Sequence, residues 1–208
     1  MAGTASTSTK ARPGGRTART REAVYAATLG ELAARGYTQT SVEAIAVRAG
    51  VHKTTVYRRW RTKDQLVAEA LAHAATERTE VADTGDIDAD LRTLARAVVA
   101  TITSQDGLAT VRALVAEAPA SPELGEVLRS FWASRRAHIG PIIIAAIERG
   151  QLPPATSPSE LMKYVAAPLY YQLLLTDEPL RDASADRAAA AALAAARAGV
   201  LGSQFIGP

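Results

Sequence analysis

Lys53, Thr54, Thr55, Tyr57, Arg58 and Arg59 follow one another almost without interruption, with His52 just before them and Lys63 shortly after. Nearly every one of these side chains carries an N–H or O–H donor. Donors at that density suit phosphate oxygens and the edges of bases better than a protein core. Only Val56 and Trp60, four apart, are apolar, so a helix over 52–60 turns one narrow face inward and leaves the rest outside. Hydroxyls and an aromatic ring are interleaved with the cations. A coat for DNA of any sequence would need only Lys and Arg.

The elements that must position this run are legible on either side. Thr40-x-x-Glu43 has the spacing of a capping box and predicts a helix that places Val42, Ile45, Ala46 and Ala49 on one apolar stripe. Gly50 follows directly and suits the left-handed turn that ends such a helix. Val51 fills the angle, and Ala46 is small enough to let two short helices cross closely. Thr62-x-x-Gln65 is a second capping box, opening a helix with Leu66, Val67, Ala70, Leu71 and Ala74 inward. Lys63 sits in its first turn, where a cation opposes the helix dipole by about a few tenths of a kcal/mol. A phosphate docked at that end would reverse the sign. Upstream, Val24, Ala27, Thr28 and Leu32 have helical spacing, and Gly36 ends the run. Three helices around a small core result, with a fourth leading away.

Residues 20–71 resemble the DNA-binding domain of the TetR (tetracycline-repressor-like) family of bacterial transcription regulators. The resemblance is carried by Ala34-Arg35-Gly36-Tyr37, Thr40-Ser41-Val42-Glu43-Ala44-Ile45-Ala46, Ala49-Gly50-Val51, Thr55-Val56-Tyr57 and Lys63-Asp64-Gln65-Leu66, with Trp60 as the aromatic after the recognition helix. His52 stands where a small residue is usual, and Thr54 where Gly is frequent; both bear on the operator sequence rather than the fold. The resemblance implies that Lys53 and Thr54 lead towards base edges, while Tyr57, Arg59, Lys63, Ser41 and Thr55 hold phosphates. His52 and Arg58 complete the DNA-facing set. The run Ala167–Thr176 with Glu178-Pro179-Leu180 also resembles a C-terminal regulatory domain of this family.

The resemblance implies a ligand-responsive regulator, a repressor, that binds a palindromic operator as a homodimer. Twofold symmetry would set two recognition helices about 34–36 Å apart. Two other classes compete. A non-specific DNA-binding protein would give no discrete footprint. A helical enzyme would need catalytic machinery, and the sequence has no Gly-x-Ser-x-Gly, phosphate loop, dinucleotide fingerprint or His-Glu-x-x-His. The expectation is therefore no enzymatic activity.

Composition sets the frame. The 208 residues are 48% hydrophobic, enough for one or two real cores. Cysteine is absent, which removes disulfides, thiolate metal sites and thiol redox chemistry. No apolar stretch has the length of a membrane span, and no apolar core follows the basic residues near the N-terminus, so a cytoplasmic location is expected. The net charge of +3 hides an asymmetry: residues 1–81 carry +6 and residues 82–208 carry −3. DNA at one end and something else at the other fit that division.

The predicted fold is all-α and falls into three stretches. Residues 1–18, with Lys10, Arg12 and Arg16, read as a disordered basic arm. Residues 19–81 form the helix-turn-helix domain with its connecting fourth helix. Residues 82–208 form a helical regulatory and dimerisation domain, introduced by the acidic, Gly-containing stretch Asp83–Asp90. Its expected helices cover a fifth segment from about Leu91 to Ile102, broken by Asp106-Gly107; a sixth over 108–118; a seventh from Ser121-Pro122 to Arg149, kinked at Pro141; an eighth from Ser157-Pro158 to Leu175; and an Ala-rich ninth over 184–199. The eighth and ninth are expected to make the dimer, Leu169, Leu173 and Leu174 giving bulk and the Ala run close approach.

Phe131, Trp132, Arg135, His138, Met162, Tyr164, Tyr170 and Tyr171 are the aromatic and polar-tipped residues of this second domain. They are candidates to line a cavity for an unidentified small-molecule effector, with ordinary packing as the competing role. His52, His73 and His138 are scattered and match no metal-ligand spacing, so neither a metal nor a cofactor is expected.

Overall fold

The computed structural model describes residues 14–77, 82–176 and 178–202. Among these there are nine α-helices and no strand. They are α1 (Gly14–Gln39), α2 (Val42–Arg48), α3 (Lys53–Arg59), α4 (Lys63–Glu77), α5 (Ile87–Thr103), α6 (Gln105–Glu117), α7 (Pro122–Glu148), α8 (Pro158–Leu175) and α9 (Asp182–Arg197), with a single 3-10 turn, Ala118–Ala120, between α6 and α7.

α1 to α3 wrap a small core. Val24, Tyr25, Val42, Ile45, Ala46, Val56, Trp60 and Leu66 are buried together, and Val51 packs against them. Gly36 divides α1. Its φ of 76° and ψ of 177° lie in a region that side chains rarely adopt, so the helix breaks there and resumes for one turn. The chain then reverses into α2, and Gly50, with φ of 65°, makes the tight turn into α3.

A second core belongs to the C-terminal half. Ile87, Leu91, Leu94, Val99, Ile102, Ile139, Ile143, Leu161, Val165 and Leu169 pack with one face of α9. Ala185, Ala188, Ala189, Ala192 and Ala196 are all buried there. Small side chains let α9 lie close against α5 and α8, and Arg96–Asp186 (2.7 Å) and Arg197–Asp88 (2.5 Å) tie α9 to α5 at the surface.

A third cluster joins the halves. Leu32 and Tyr37 from α1, Val67 from α4, Leu114 from α6, and Leu124 and Val127 from α7 bury one another. α1 runs along α6, and α4 along α7. The DNA-binding half is therefore bolted to the other by two helix pairs, whereas the sequence suggested α4 alone.

Several boundaries differ from the sequence reading. Residues 14–18, expected as part of a disordered arm, begin α1; residues 1–13 lie outside the described residues. The cap of α2 is Ser41, whose hydroxyl accepts from Ala44 N–H at 3.1 Å. Thr40 instead donates to the Gly36 carbonyl at 2.6 Å, because it still belongs to the turn that closes α1. Two adjacent cap-forming residues offered two registers, and the preceding Gly36 break selected the later one. α5 ends at Ser104, which caps α6 through Gly107 N–H, so Asp106-Gly107 lies inside the first turn of α6 rather than between the helices. As the sequence predicts, α7 runs through Pro141 and α8 through Pro168. The cap of α5 is Asp86, which accepts from Asp88 and Ala89 N–H.

Candidate functional site

α3 is short and has a sharply divided surface. Val56 is fully buried and Trp60 is 2% exposed, so both anchor the helix. The Trp60 indole N–H donates to Glu69 on α4 at 2.8 Å, and Tyr25 O–H donates to the same carboxylate oxygen at 3.0 Å. Tyr25 and Trp60 rings lie 5.6 Å apart. This arrangement fixes the back of α3 to α1 and α4 through one acceptor. Nothing in the spacing singles out Glu69, because a lone Glu on an amphipathic helix reads as solvated.

The outward surface carries the donors. His52, Lys53, Thr54, Tyr57, Arg58 and Arg59 are exposed, and Thr55 is half-buried. His52 caps α3 by position, with its ring Nδ1 at 3.0 Å from the Thr54 hydroxyl. Tyr57 O–H donates to Glu43 on α2 at 3.3 Å, which orients the ring beside the turn. Glu43 therefore does not act as the reciprocal half of a capping box. Arg59 lies over the Trp60 ring, 5.4 Å from its centre. Lys53 and Arg58 extend from the surface.

Ser41 and Lys63 flank this surface. Ser41 is half-buried at the start of α2. Lys63 donates to the Tyr37 carbonyl at 3.0 Å and lies 4.0 Å from the centre of that ring. Two of the three ammonium N–H groups stay free of that bond. Tyr37 O–H in turn donates to Asp64, and burial with this carboxylate pushes the Tyr37 phenol well above its ordinary value. The nine residues singled out as DNA-facing thus lie on α3, its cap and the starts of α2 and α4.

Among the described residues, three adjoining cavities lie in and against the C-terminal half. One of about 830 Å³ opens between α7 and α8, lined by Arg129, Trp132, Arg136, Met162 and Lys163 among others. One of about 430 Å³ lies among α1, α4, α5, α6, α7 and α8, lined by Leu29, Leu71, Ile102, Val111, Leu128 and Phe131 among others. A constriction of about 60 Å³ shares residues with both. Trp132 and Tyr170 border all three. Edge-to-face contacts hold this wall: Phe131 to Trp132 at 5.0 Å and Trp132 to Tyr170 at 6.1 Å.

Five of the seven candidate ligand residues, Phe131, Trp132, Arg135, Met162 and Tyr170, meet at these cavities. His138 and Tyr171 do not. Both are exposed and border none of the three cavities, because the helical turn carries their positions to the outer faces of α7 and α8. Tyr164, 45% exposed, is also outside. Burial pushes the Tyr170 phenol up, against the opposing pull of the Arg135 charge, and burial also lowers Arg135 from its ordinary value.

One carboxylate links the two regions. Glu117, at the end of α6, accepts from Tyr37 N–H (2.9 Å), Thr38 N–H (2.7 Å) and the Thr38 hydroxyl (2.5 Å). These are the backbone donors left over by the break at Gly36. The Thr38 hydroxyl and the two N–H groups hold the Glu117 carboxyl below its ordinary value. α6 also lines the 430 Å³ cavity through Thr110, Val111, Leu114 and Val115. A displacement of α6 therefore reaches the turn that leads into α2.

Known proteins place this architecture. A family model described as "Bacterial regulatory proteins, tetR family" matches residues 24–70, and one described as "Tetracyclin repressor-like, C-terminal domain" matches residues 81–192. The uncharacterized HTH-type transcriptional regulator Mb1581 of Mycobacterium bovis is 30% identical over 75% of this chain and 77% of its own. The HTH-type transcriptional regulator AqdR of Rhodococcus erythropolis is 31% identical over 68% of each chain. The crystal structure of the TetR family transcription regulator SCO0332 superposes with a TM-score of 0.69 and 30% identity, covering 85% of this chain and 97% of the other. The all-α architecture, the donor-studded second helix of a helix-turn-helix and these matches over both halves agree: the chain belongs to the TetR family of bacterial transcription regulators and is a helix-turn-helix DNA-binding regulator.

Proposed function

We propose that this protein is a ligand-responsive repressor that grips a palindromic operator as a homodimer and releases it when a small molecule occupies the C-terminal cavities. The observation that carries the reading is the division of α3: a sealed apolar back fixed by Val56, Trp60 and Glu69, and a front bearing Lys53, Thr54, Tyr57, Arg58 and Arg59. Lys53 and Thr54, at the start of the helix, meet base edges, with His52 and Arg58 beside them. Ser41, Thr55, Tyr57, Arg59 and Lys63 hold the phosphates on either side. The protein acts by binding and not by catalysis, in the cytoplasm where its operator lies.

The dimer forms through α8 and α9. Leu169, expected as dimer bulk, is 1% exposed and belongs to the protomer core, while Leu174 borders the 430 Å³ cavity. The apolar surface left outside α8 is Tyr164, Pro168, Tyr171 and Leu175, four positions that recur on one helical face. Beside it α9 exposes Ala183, Ala190, Ala191 and Ala194, which permit close approach of a second copy. Tyr171 therefore serves the dimer rather than the effector.

The effector works by preferring one conformation of the dimer, since equal affinity for both would shift nothing. By reciprocity, operator DNA weakens effector binding by the same factor. Selection of genomic fragments with purified protein, followed by footprinting, tests the reading. Two protected half-sites related by twofold symmetry, about one helical turn apart or a multiple of it, are expected. Uniform protection of random DNA would refute it.

A further inference from the structure

Arg135 is 5% exposed, on the inner face of α7. A guanidinium carries five N–H donors and stays charged. Only one bond to it exists among the described residues: Nη1 donates to the Ala75 carbonyl near the end of α4, at 3.3 Å. No described carboxylate pairs with it. Arg135 borders the constriction, and its remaining nitrogens make no hydrogen bond to the described residues. The walls around it include Leu94, Val98, Ile102, Phe131, Met162 and Val165, all apolar.

A lone charge in such surroundings is costly unless something of opposite sign completes it. The dipole at the end of α4 offers a fraction of that, through the one carbonyl already engaged. Directly beside the constriction lies the 430 Å³ cavity, mostly apolar but with Asp106 and Thr110 in its lining, which shares Ala75, Thr101, Ile102, Phe131, Trp132 and Tyr170 with it. Space of that size takes the body of a small organic molecule.

We infer that the effector is a hydrophobic monoanionic acid, whose apolar body fills the cavity between α5, α6 and α7 and whose acidic oxygens pair with Arg135. This rests on the reading of these cavities as an effector site and specifies what that site takes. A planar fork of N–H groups matches a carboxylate with two parallel bonds, which a neutral amide cannot reproduce. Arg135 is thus the residue that sets effector class, while Phe131, Trp132 and Tyr170 accept any flat apolar body.

The test uses three matched pairs on the full-length protein: biphenyl-4-carboxylate, decanoate and indole-3-acetate, each beside its neutral primary amide. Affinities are measured by isothermal calorimetry near neutral pH, for the wild type, Arg135→Lys and Arg135→Met. For at least one pair the acid should bind the wild type about tenfold or more tightly than the amide. Arg135→Met should erase that preference, and Arg135→Lys should keep part of it. Circular dichroism and operator binding check that each variant folds; if Arg135→Met does not, Arg135→Lys alone decides, through a preference reduced but of the same sign. Amides that bind as well as their acids, or a preference that survives Arg135→Met, overturn the acid assignment while leaving an effector cavity in place. Failure of all six compounds to bind overturns the acid assignment, while the effector reading stands or falls separately on release of the protein from its operator.

Discussion

Replacing Glu117 with Gln keeps the size of the side chain and removes its charge. The carboxylate accepts three bonds, from Tyr37 N–H, Thr38 N–H and the Thr38 hydroxyl, at 2.9, 2.7 and 2.5 Å. Bonds to a charged group contribute about 1.5–3 kcal/mol each in sealed surroundings and less where water competes. Glu117 is half-buried, and a Gln oxygen still accepts one or two of the three. A net loss of about 1–2 kcal/mol results, equivalent to about 2–8 °C in the melting temperature of a chain this long. The carboxyl lies below its ordinary value in the folded protein, chiefly through the Thr38 hydroxyl and then through backbone N–H groups. A depressed acid contributes stability above the unfolded carboxylate pKa of about 4.3, and that stability is lost as pH falls through the lower folded value. Thermal denaturation of wild type and Glu117→Gln across pH should therefore show a steady gap around neutrality that closes in acid. Equal stability at neutral pH, or a gap that persists in strong acid, would refute the reasoning. The same variant should loosen the tie between α6 and the turn before α2, so effector-induced release of DNA should weaken.

Gly36→Ala should destabilise more than Gly50→Ala. Both have positive φ, but a Cβ at 36 would sit 1.9 Å from a Glu117 oxygen, whereas nothing lies within 4 Å at 50. We expect about 2–4 kcal/mol against about 1 kcal/mol, read by denaturant unfolding. Arg59→Ala should weaken binding to every duplex alike and flatten the salt dependence by about one unit; a loss confined to one sequence would assign Arg59 to a base instead. Leu175→Glu, at a side chain 73% exposed on α8, should leave the fold intact and split the dimer in sedimentation experiments; an unchanged dimer would move the interface elsewhere. His138→Ala should leave effector affinity unaltered, because His138 borders none of the three cavities described; a measurable loss would extend the site.

Helix order and type were legible in this sequence because caps and breakers mark nearly every boundary. Pro122, Pro158 and Gly150 delimit α7 and α8 close to where spacing places them. The outward placement of the donors on α3 is legible for the same reason: a run of donors between two apolar anchors has one sensible orientation. Pairs distant in the chain were not. Glu117 meets Tyr37 and Thr38 some 80 positions away, and Glu69 gathers Tyr25 and Trp60 from two other helices. Neither carboxylate differs in type or spacing from a solvated one. The register of α2 failed by one residue because Thr40 and Ser41 both cap well, and only the local path after Gly36 chooses between them. Cavity walls are similarly silent: Met162 and Leu161 are neighbours of like character, yet only Met162 borders a cavity. Residue type groups His138 and Tyr171 with the cavity, whereas the direction in which each helix turns carries both outside it.

Base reading by the start of α3 is the claim on which regulation of a particular gene depends. Its sharpest test is the affinity of Lys53→Ala/Thr54→Ala for the selected operator and, in parallel, for a scrambled duplex of equal length, by fluorescence anisotropy at fixed salt. The account predicts that the double variant loses about 1–3 kcal/mol more on the operator than on the scrambled duplex, so that discrimination between the two collapses. Equal losses on both duplexes, with discrimination intact, would contradict it.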